Sequence, residues 1–256
     1  MGARERLAAA LLALLACAAP AQADERVNFA AAGSGERLGG FFVKPAGAGP
    51  FPALVLLHTC LGLPANRAAI QRGFAASGYA SLFVDDFGGR GLKETCTVDF
   101  PQGVADAYGG LAFLASRSDI DPARIAVFGA SQGGDTALAI ATGRFAAAYP
   151  GAAFRAAAAF YPPCANRDGA ELALPTLVVV GRADTVTPAA DCENLAAAQP
   201  PGRLALAVLP NAPHGFDLPE FGAGRDVLGM RLAYDAKGAA AARARLAAFL
   251  SKALRP

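Results

Sequence analysis

Residues 124–134 read Arg-Ile-Ala-Val-Phe-Gly-Ala-Ser-Gln-Gly-Gly. The apolar residues 125–128 are typical of a short buried strand, and the alanine-rich residues 136–141 are typical of a helix. Between them lies Gly-x-Ser-x-Gly, centred on Ser131. A serine on a sharp strand-to-helix turn projects its Oγ out of the sheet, and so crowded a turn needs small neighbours. The stretch therefore predicts a serine nucleophile. The alternative interpretation is a glycine-rich turn without a chemical role.

The same turn predicts half of an oxyanion hole. The helix that follows adds backbone N–H groups and a positive dipole end where an oxyanion would form. One N–H is expected from Gln132, the residue after the nucleophile. The other is expected from the loop after the strand that ends at Leu57, with Cys60 as the first candidate and Leu61 as the second.

The order of the remaining polar residues completes a catalytic set. A serine hydroxyl needs a base within hydrogen-bond reach and a carboxylate that orients the base. His214 is the one histidine after Ser131 and follows the last strand that the sequence predicts. Asp184 follows the strand over residues 175–180, so all three side chains are expected beyond the carboxyl ends of strands.

Other candidates for these roles receive structural interpretations. Asp191 is expected to cap a helix, while Asp217 lies too close to His214 along the chain to meet its imidazole easily; Glu193 is a further competitor. His58, at the start of the oxyanion loop, is expected to bond loop backbone rather than to act as a second base.

Composition places the chain among α/β proteins. It has 256 residues, 54% of them apolar and 17% charged, with a formal net charge of +2. It shows no basic stripe, so no nucleic-acid partner is expected. Strands are predicted over residues 27–29, 40–43, 53–57, 79–84, 125–128, 156–160, 175–180 and 204–209. Helices are predicted over residues 66–76, 104–116, 136–141, 192–198 and 238–252. This alternation predicts one domain over residues 24–256 with a mostly parallel, doubly wound sheet.

The first residues predict export. Arg4 and Arg6 precede the apolar residues 7–16, a run too short for a stable membrane anchor, and Ala-Gln-Ala at 21–23 is typical of a cleavage site. Residues 1–23 are therefore interpreted as a signal peptide of a periplasmic or secreted protein. The alternative is a lipoprotein attached through Cys17, since residues 14–17 loosely resemble a lipobox.

The cysteines agree with an oxidising compartment. Cys60, Cys96, Cys164 and Cys192 remain after the leader, an even number that indicates two disulfides with three possible connectivities. No cysteine or histidine spacing is typical of a zinc site, so neither a metal nor an organic cofactor is expected.

Four segments together resemble the dienelactone hydrolase family of the α/β-hydrolases. They are residues 58–62, 121–134, 181–188 and 213–217. The resemblance implies an eight-stranded α/β-hydrolase core without a large lid domain, and Cys60 and Gln132 amides as oxyanion donors. The chain departs from the namesake enzymes at Ser131, where they use cysteine, and at Thr59, where they carry glutamate. It is in this respect more similar to the serine carboxylic-ester hydrolases of the family.

The resemblance also implies further contacts. In such a fold the loops that bear Cys60 and Cys96 follow adjacent strands, as do the segments that bear Cys164 and Cys192, so these pairs are the expected disulfides. The alternative leaves Cys60 unpaired near the nucleophile. Arg90 is the candidate for binding a substrate carboxylate, as arginines do in the namesake enzymes; the alternative is a surface arginine.

The sequence thus predicts an exported serine hydrolase that cleaves carboxylic esters or lactones, as small-molecule substrates, through Ser131, His214 and Asp184. The alternatives are a dienelactone-type lactone hydrolase and a non-catalytic binding protein on a hydrolase scaffold. An exported peptidase of the same fold is a weaker alternative, because such peptidases usually need an additional propeller or lid domain, for which a chain of this length has no room. Neither a cofactor nor a stable membrane anchor is expected.

Overall fold

A large sheet crosses the whole protein in the computed structural model, which describes residues 24–255. Its strands are β1 (Glu25–Ala30), β2 (Arg37–Val43), β3 (Phe51–Leu57), β4 (Ala80–Asp85), β5 (Ile120–Ala130), β6 (Ala156–Phe160), β7 (Thr176–Gly181) and β8 (Leu204–Leu209). The helices are α1 (Arg67–Ala76), α2 (Gly103–Ala115), α3 (Gln132–Ala141), α4 (Ala189–Ala197) and α5 (Ala236–Ala253). The predicted signal peptide and Cys17 lie outside the described residues.

The strand order confirms the predicted fold class. The eight strands follow the order β1-β2-β4-β3-β5-β6-β7-β8. β1, β2 and β4 pair antiparallel, whereas β4, β3 and β5 to β8 pair parallel. Within residues 24–255 no large lid domain is inserted. The parallel strands align their carboxyl ends along one edge, where the loops of the candidate site emerge.

The two faces of the sheet explain why its strands read as continuous apolar runs. In β3, Leu54 and Leu56 face one side, whereas Val55 and Leu57 face the other. α1 and α5 cover the first face, while α2 and α3 cover the second. A strand buried on both faces has no solvent side, so it lacks the polar alternation of a surface strand.

Two details differ from the sequence-based expectation. α4 begins at Ala189 after Pro188, so Asp191 lies in the first helical turn and does not cap the helix. Pro188, rather than Asp191, occupies the N-cap position, with φ of −57° and ψ of 134°. A second sheet, β9 (Arg225–Val227) with β10 (Met230–Leu232), was not predicted, because strands of three residues are too short to show a hydrophobic period.

The structure contains the two expected disulfides. Cys60 bonds Cys96, and Cys164 bonds Cys192. Disulfides are typical of proteins in extracellular or periplasmic surroundings. Among the described residues, no helix combines the length and the apolar character needed to cross a membrane.

Two glycines in helices predict opposite responses to one substitution. A Cβ on buried Gly109 of α2 would lie 2.3 Å from the carbonyl oxygen of Ala30, whereas a Cβ on exposed Gly73 of α1 would meet nothing within 4 Å. Gly109→Ala is expected to lower the free energy of unfolding by about 1–3 kcal/mol through overpacking. Gly73→Ala is expected to raise it by about 0.4–1 kcal/mol by restricting the unfolded chain. Urea unfolding of both variants checks this, and a loss of stability in Gly73→Ala would contradict it.

Candidate active site

Ser131 occupies a strained turn between β5 and α3. Its φ of 52° and ψ of −116° lie outside the regions that a serine usually adopts. The Ser131 amide donates to the carbonyl of Phe160 at 3.0 Å, and the Ser131 carbonyl accepts from the amide of Asp135 at 2.9 Å. These bonds tie the turn to β6 on one side and to α3 on the other, so the surrounding structure maintains the strain.

The glycines around Ser131 are required by close backbone contacts. A Cβ on Gly129 would lie 2.1 Å from the carbonyl oxygen of Gly133. A Cβ on Gly133 would lie 2.5 Å from the carbonyl oxygen of His58. Any larger residue would therefore separate the turn from the oxyanion loop, which agrees with the expectation from the sequence.

The structure brings the three predicted side chains into one hydrogen-bonded line. His214 Nε2 lies 3.1 Å from Ser131 Oγ, and His214 Nδ1 lies 2.8 Å from Asp184 Oδ2. Asp184 follows β7 and His214 follows β8, so both reach Ser131 from the carboxyl edge of the sheet. His214 and Asp184 are buried. This arrangement lets the imidazole accept a proton from Ser131 while the carboxylate fixes its orientation.

Four hydrogen bonds hold the Asp184 carboxylate. The amides of Val186 and Thr187 each donate to Oδ1 at 2.8 Å, and the Thr187 hydroxyl donates to Oδ2 at 2.9 Å. His214 supplies the fourth bond. Burial by itself raises the pKa of Asp184, but the bonds from His214 and from the two amides outweigh it and leave the pKa below its usual value. Asp184 therefore stays ionised near neutral pH.

The competing carboxylates have other partners. Asp217 accepts a hydrogen bond from the Tyr161 hydroxyl at 2.5 Å. Glu193 pairs with Arg182 on the surface, and Asp191 lies in the first turn of α4. None of the three accepts a hydrogen bond from His214.

Tyr161 and Thr187 support His214, and sequence reasoning missed both. The Tyr161 ring lies 4.6 Å from the His214 ring, centroid to centroid, and is tilted by 61°. Tyr161 is buried, and both burial and neighbouring Asp217 raise the pKa of its hydroxyl. The Thr187 hydroxyl lies 3.2 Å from His214 Nδ1. The available signal was positional, since Tyr161 directly follows a predicted strand and Thr187 follows Asp184 by three residues.

The oxyanion loop lies against the cleft that contains Ser131. Thr59, Cys60 and Leu61 line this cleft together with Ser131 and His214. The Leu61 amide donates to Thr59 Oγ1 at 3.2 Å, whereas neither the Cys60 nor the Gln132 amide donates to another group in residues 24–255. This difference favours Cys60 over Leu61 as the partner of Gln132 in an oxyanion hole.

Thr95 links the two candidate oxyanion donors. Its amide donates to the Cys60 carbonyl at 2.8 Å, and its hydroxyl donates to Gln132 Oε1 at 2.8 Å. The neighbouring Cys96 forms the disulfide with Cys60. The loop after β4 thus braces the oxyanion loop both covalently and through hydrogen bonds.

His58 has the structural surroundings that were expected. Its Nδ1 lies 2.7 Å from the Thr59 carbonyl oxygen, and its Nε2 lies 2.5 Å from Asp86 Oδ1. Burial lowers the pKa of His58, but the Asp86 carboxylate outweighs burial and raises the pKa above its usual value. His58 therefore joins the oxyanion loop to the end of β4.

Arg90 is not among the residues that line the cleft, and other side chains hydrogen-bond its guanidinium. Its two terminal nitrogens donate to Asp106 at 2.6 and 3.0 Å. It also bonds Glu36 and the carbonyl of Asp86, and it does not line the cleft at Ser131. The expected contact between Arg90 and a substrate carboxylate therefore has no support in the structure. Among residues 24–255, no group of three or more His, Cys, Asp or Glu side chains is arranged to hold a metal ion.

Comparison with known proteins gives related sequences and folds. The sequence model of the dienelactone hydrolase family matches residues 38–254. An uncharacterized protein of Mycobacterium tuberculosis is 31% identical over 184 residues, which cover 64% of this chain and 63% of that protein. The chain thus matches less than two thirds of the length of this relative.

Solved structures share the fold at low sequence identity. A dienelactone hydrolase-like promiscuous phosphotriesterase from metagenomic libraries has a TM-score of 0.73 and 22% identity, covering 92% of this chain and 100% of that chain. Esterase Est22 has a TM-score of 0.65 and 16% identity, covering 90% and 80%.

The lowered pKa of Asp184 predicts how stability depends on pH. A carboxyl whose pKa falls on folding stabilises the protein above its unfolded pKa, near the usual 3.8, and this stabilisation is lost as pH falls through the folded pKa. Asp184→Asn is therefore expected to cost about 1.5–3 kcal/mol at pH 7. The difference in unfolding free energy between the two proteins should shrink below pH 4.

Urea unfolding between pH 3 and pH 7 measures this difference. Asp119 also titrates at low pH, since Arg117 and Lys44 lower its pKa to about 2, but it is present in both proteins and cancels. A difference that stays constant across this range would contradict the assigned environment of Asp184.

Proposed function

The chain belongs to the dienelactone hydrolase family, and we propose that it hydrolyses carboxylic esters or lactones with Ser131 as nucleophile. The observation that carries the proposal is the line of contacts from Ser131 Oγ through both nitrogens of His214 to Asp184. A line of this kind activates a hydroxyl that is otherwise a weak nucleophile. We also propose that the protein is exported; the leader-like residues 1–23 and the two disulfides support this.

The first half of the reaction forms an acyl-enzyme. Ser131 Oγ attacks the ester carbonyl carbon while His214 Nε2 accepts the hydroxyl proton. The carbonyl oxygen becomes an oxyanion, which accepts hydrogen bonds from the Cys60 and Gln132 amides. When the tetrahedral intermediate collapses, the bond to the alkoxy oxygen breaks and His214 returns the proton to the departing alcohol. Asp184 stabilises the imidazolium that exists between these two proton transfers.

The second half repeats the same steps with water. His214 accepts a proton from water as its oxygen attacks the acyl carbon, and the amides again hold the oxyanion. Collapse breaks the bond to Ser131 Oγ, which takes the proton back from His214. The acid product leaves and the starting protein is restored. A lactone follows the same course, except that the freed alcohol stays joined to the acyl group through the opened ring, and water releases the two together as one hydroxy acid.

Loss of the Ser131 hydroxyl is expected to abolish this reaction. Ser131→Ala should lower kcat on p-nitrophenyl acetate by about 10⁴-fold or more, because attack and proton transfer both need the hydroxyl. A fluorophosphonate should label the unchanged protein at Ser131 and leave the variant unlabelled. The control is Ser118→Ala, which removes an exposed hydroxyl just before β5, at the opposite end of this strand from Ser131.

Two outcomes would overturn the proposed function. The first is hydrolysis that persists in Ser131→Ala. The second is a folded protein, by circular dichroism, that neither turns over esters or lactones nor reacts with the fluorophosphonate, which would favour a non-catalytic binding protein.

Removing either disulfide is expected to lower stability, but only one removal is expected to lower activity. They join residues 36 and 28 positions apart, so the double variants Cys60→Ala/Cys96→Ala and Cys164→Ala/Cys192→Ala should each lose about 3–4 kcal/mol of stability. Only the first pair braces the oxyanion loop, so only the first variant should also lose kcat, by about tenfold or more. Steady-state kinetics, measured at a temperature below the thermal unfolding midpoint of each variant, check this. Equal losses of kcat in the two variants would contradict it.

A further inference from the structure

Three cavities follow one another beneath the oxyanion loop. The first is the cleft at Ser131 and His214. The second lies behind the oxyanion loop, and Thr59 and Leu218 line both it and the first. The third lies between α1 and α5, and Ile70, Phe128 and Asp217 line both it and the second. The shared residues place the three cavities in series from the nucleophile to the far side of the oxyanion loop, with these side chains standing between them.

The third cavity, which we call the α1–α5 groove, contains most of the space. Its volume is about 420 Å³, against about 10 and 30 Å³ for the first two. Volumes of 300–1,000 Å³ are typical of small-molecule sites. Its floor is aromatic, formed by Phe128 of β5 and Phe160 of β6, with Phe74 of α1 beside them.

Small residues on the two helices leave the groove open. Ala69 and Gly73 of α1 face Ala244 and Ala247 of α5 across it. A Cβ on Gly73 would meet nothing within 4 Å. Helices that pack directly against each other normally fill this space with side chains, so the small residues keep apolar sheet surface accessible.

The reaction decides which part of a substrate could use this path. The alcohol has to leave for solvent after the first step, whereas the acyl group stays bonded to Ser131 until water attacks. A path that leads inward beneath the oxyanion loop therefore suits the acyl group. The first two cavities are small, so a chain that runs from Ser131 to the groove has to displace side chains at the shared walls, Leu218 among them.

We propose that the α1–α5 groove binds the distal part of an extended, uncharged acyl chain, so that the protein prefers esters of medium-chain or longer apolar acids. This inference rests on the proposed function. Each methylene that leaves water for an apolar site contributes up to about a fourfold gain in binding.

The charges along the path agree with an uncharged chain. Asp217 stands where the second cavity meets the groove, and the Tyr161 hydroxyl bonds one of its oxygens. Asp217 offers no positive charge that could pair with an anionic chain. Arg243 lines the groove as an exposed residue, and Arg90 is engaged elsewhere by Asp106, so no buried cation attracts one.

Filling the groove tests the proposal. Gly73→Leu and Ala247→Phe place larger side chains in the groove. Leu suits a helix better than Gly does, and Phe lies within the range of residues that a helix accepts. The measured quantity is kcat/KM for p-nitrophenyl acetate, butyrate and octanoate. Both variants should lose about tenfold or more on octanoate, as expected if two or more methylenes are displaced, and stay within about twofold on acetate.

Matched controls lie on the same helices outside the groove. Ala76→Leu and Ala248→Phe change exposed residues that do not line it, and they should leave the ratio of octanoate to acetate activity unchanged. A second series, ethyl and octyl acetate, varies the alcohol. The groove variants should leave the ratio of octyl acetate to ethyl acetate activity as it is in the unchanged protein.

The outcomes separate this inference from the proposed function. If the groove variants keep the octanoate to acetate ratio of the unchanged protein, or lose activity on octyl acetate instead, the inference is overturned while ester hydrolysis through Ser131 stands. If the unchanged protein hydrolyses no ester of either series, the inference is overturned. The proposed function fails with it only if lactones are not hydrolysed either and the fluorophosphonate does not label Ser131.

Discussion

The close approach of the backbone at Gly129 and Gly133 is the constraint on which the rest of the site depends. A Cβ on Gly129 would lie 2.1 Å from the carbonyl oxygen of Gly133, and a Cβ on Gly133 would lie 2.5 Å from the carbonyl oxygen of His58. The turn at Ser131 is thus in close backbone contact with β5 on one side and with the oxyanion loop on the other. Because these contacts leave the turn no room to relax, Ser131 keeps its strained φ of 52°, and its Oγ lies 3.1 Å from His214 Nε2.

Around this fixed turn, the positions of His214 and Asp184 are set by groups that take no part in proton transfer. Thr187 bonds Asp184 and lies beside His214 Nδ1, while the buried ring of Tyr161 limits where the imidazole can lie. Asp217 in turn fixes the Tyr161 hydroxyl. A site that relies on geometry needs such support, because a small displacement of the base lengthens its contact with the nucleophile.

The sequence indicated those parts of the site that local pattern and chain order determine. Ser131 lies in a motif with a mechanical reason, and only His214 follows it as a possible base. The parallel strands were visible because burial on both faces makes them continuously apolar. The partners of Arg90 were not visible, since Glu36 lies 54 residues away and Asp106 lies 16 residues away along the chain. The roles of Tyr161 and Thr187 likewise arise only when separate loops meet, and no periodicity records such a meeting.

Both disulfides join segments that follow neighbouring strands at the carboxyl edge of the sheet. The turn at Ser131 is held by sheet and helix hydrogen bonds, so it needs no covalent brace. The loops after β3 and β4 leave the sheet and lose that pairing, yet the oxyanion loop has to keep its amides in place for the reaction. Cys60–Cys96 joins these two loops, and Cys164–Cys192 joins the segments after the neighbouring strands β6 and β7. Each disulfide stabilises the fold by limiting the freedom of the unfolded chain, and Cys60–Cys96 also fixes the loop that bears the proposed oxyanion donor Cys60.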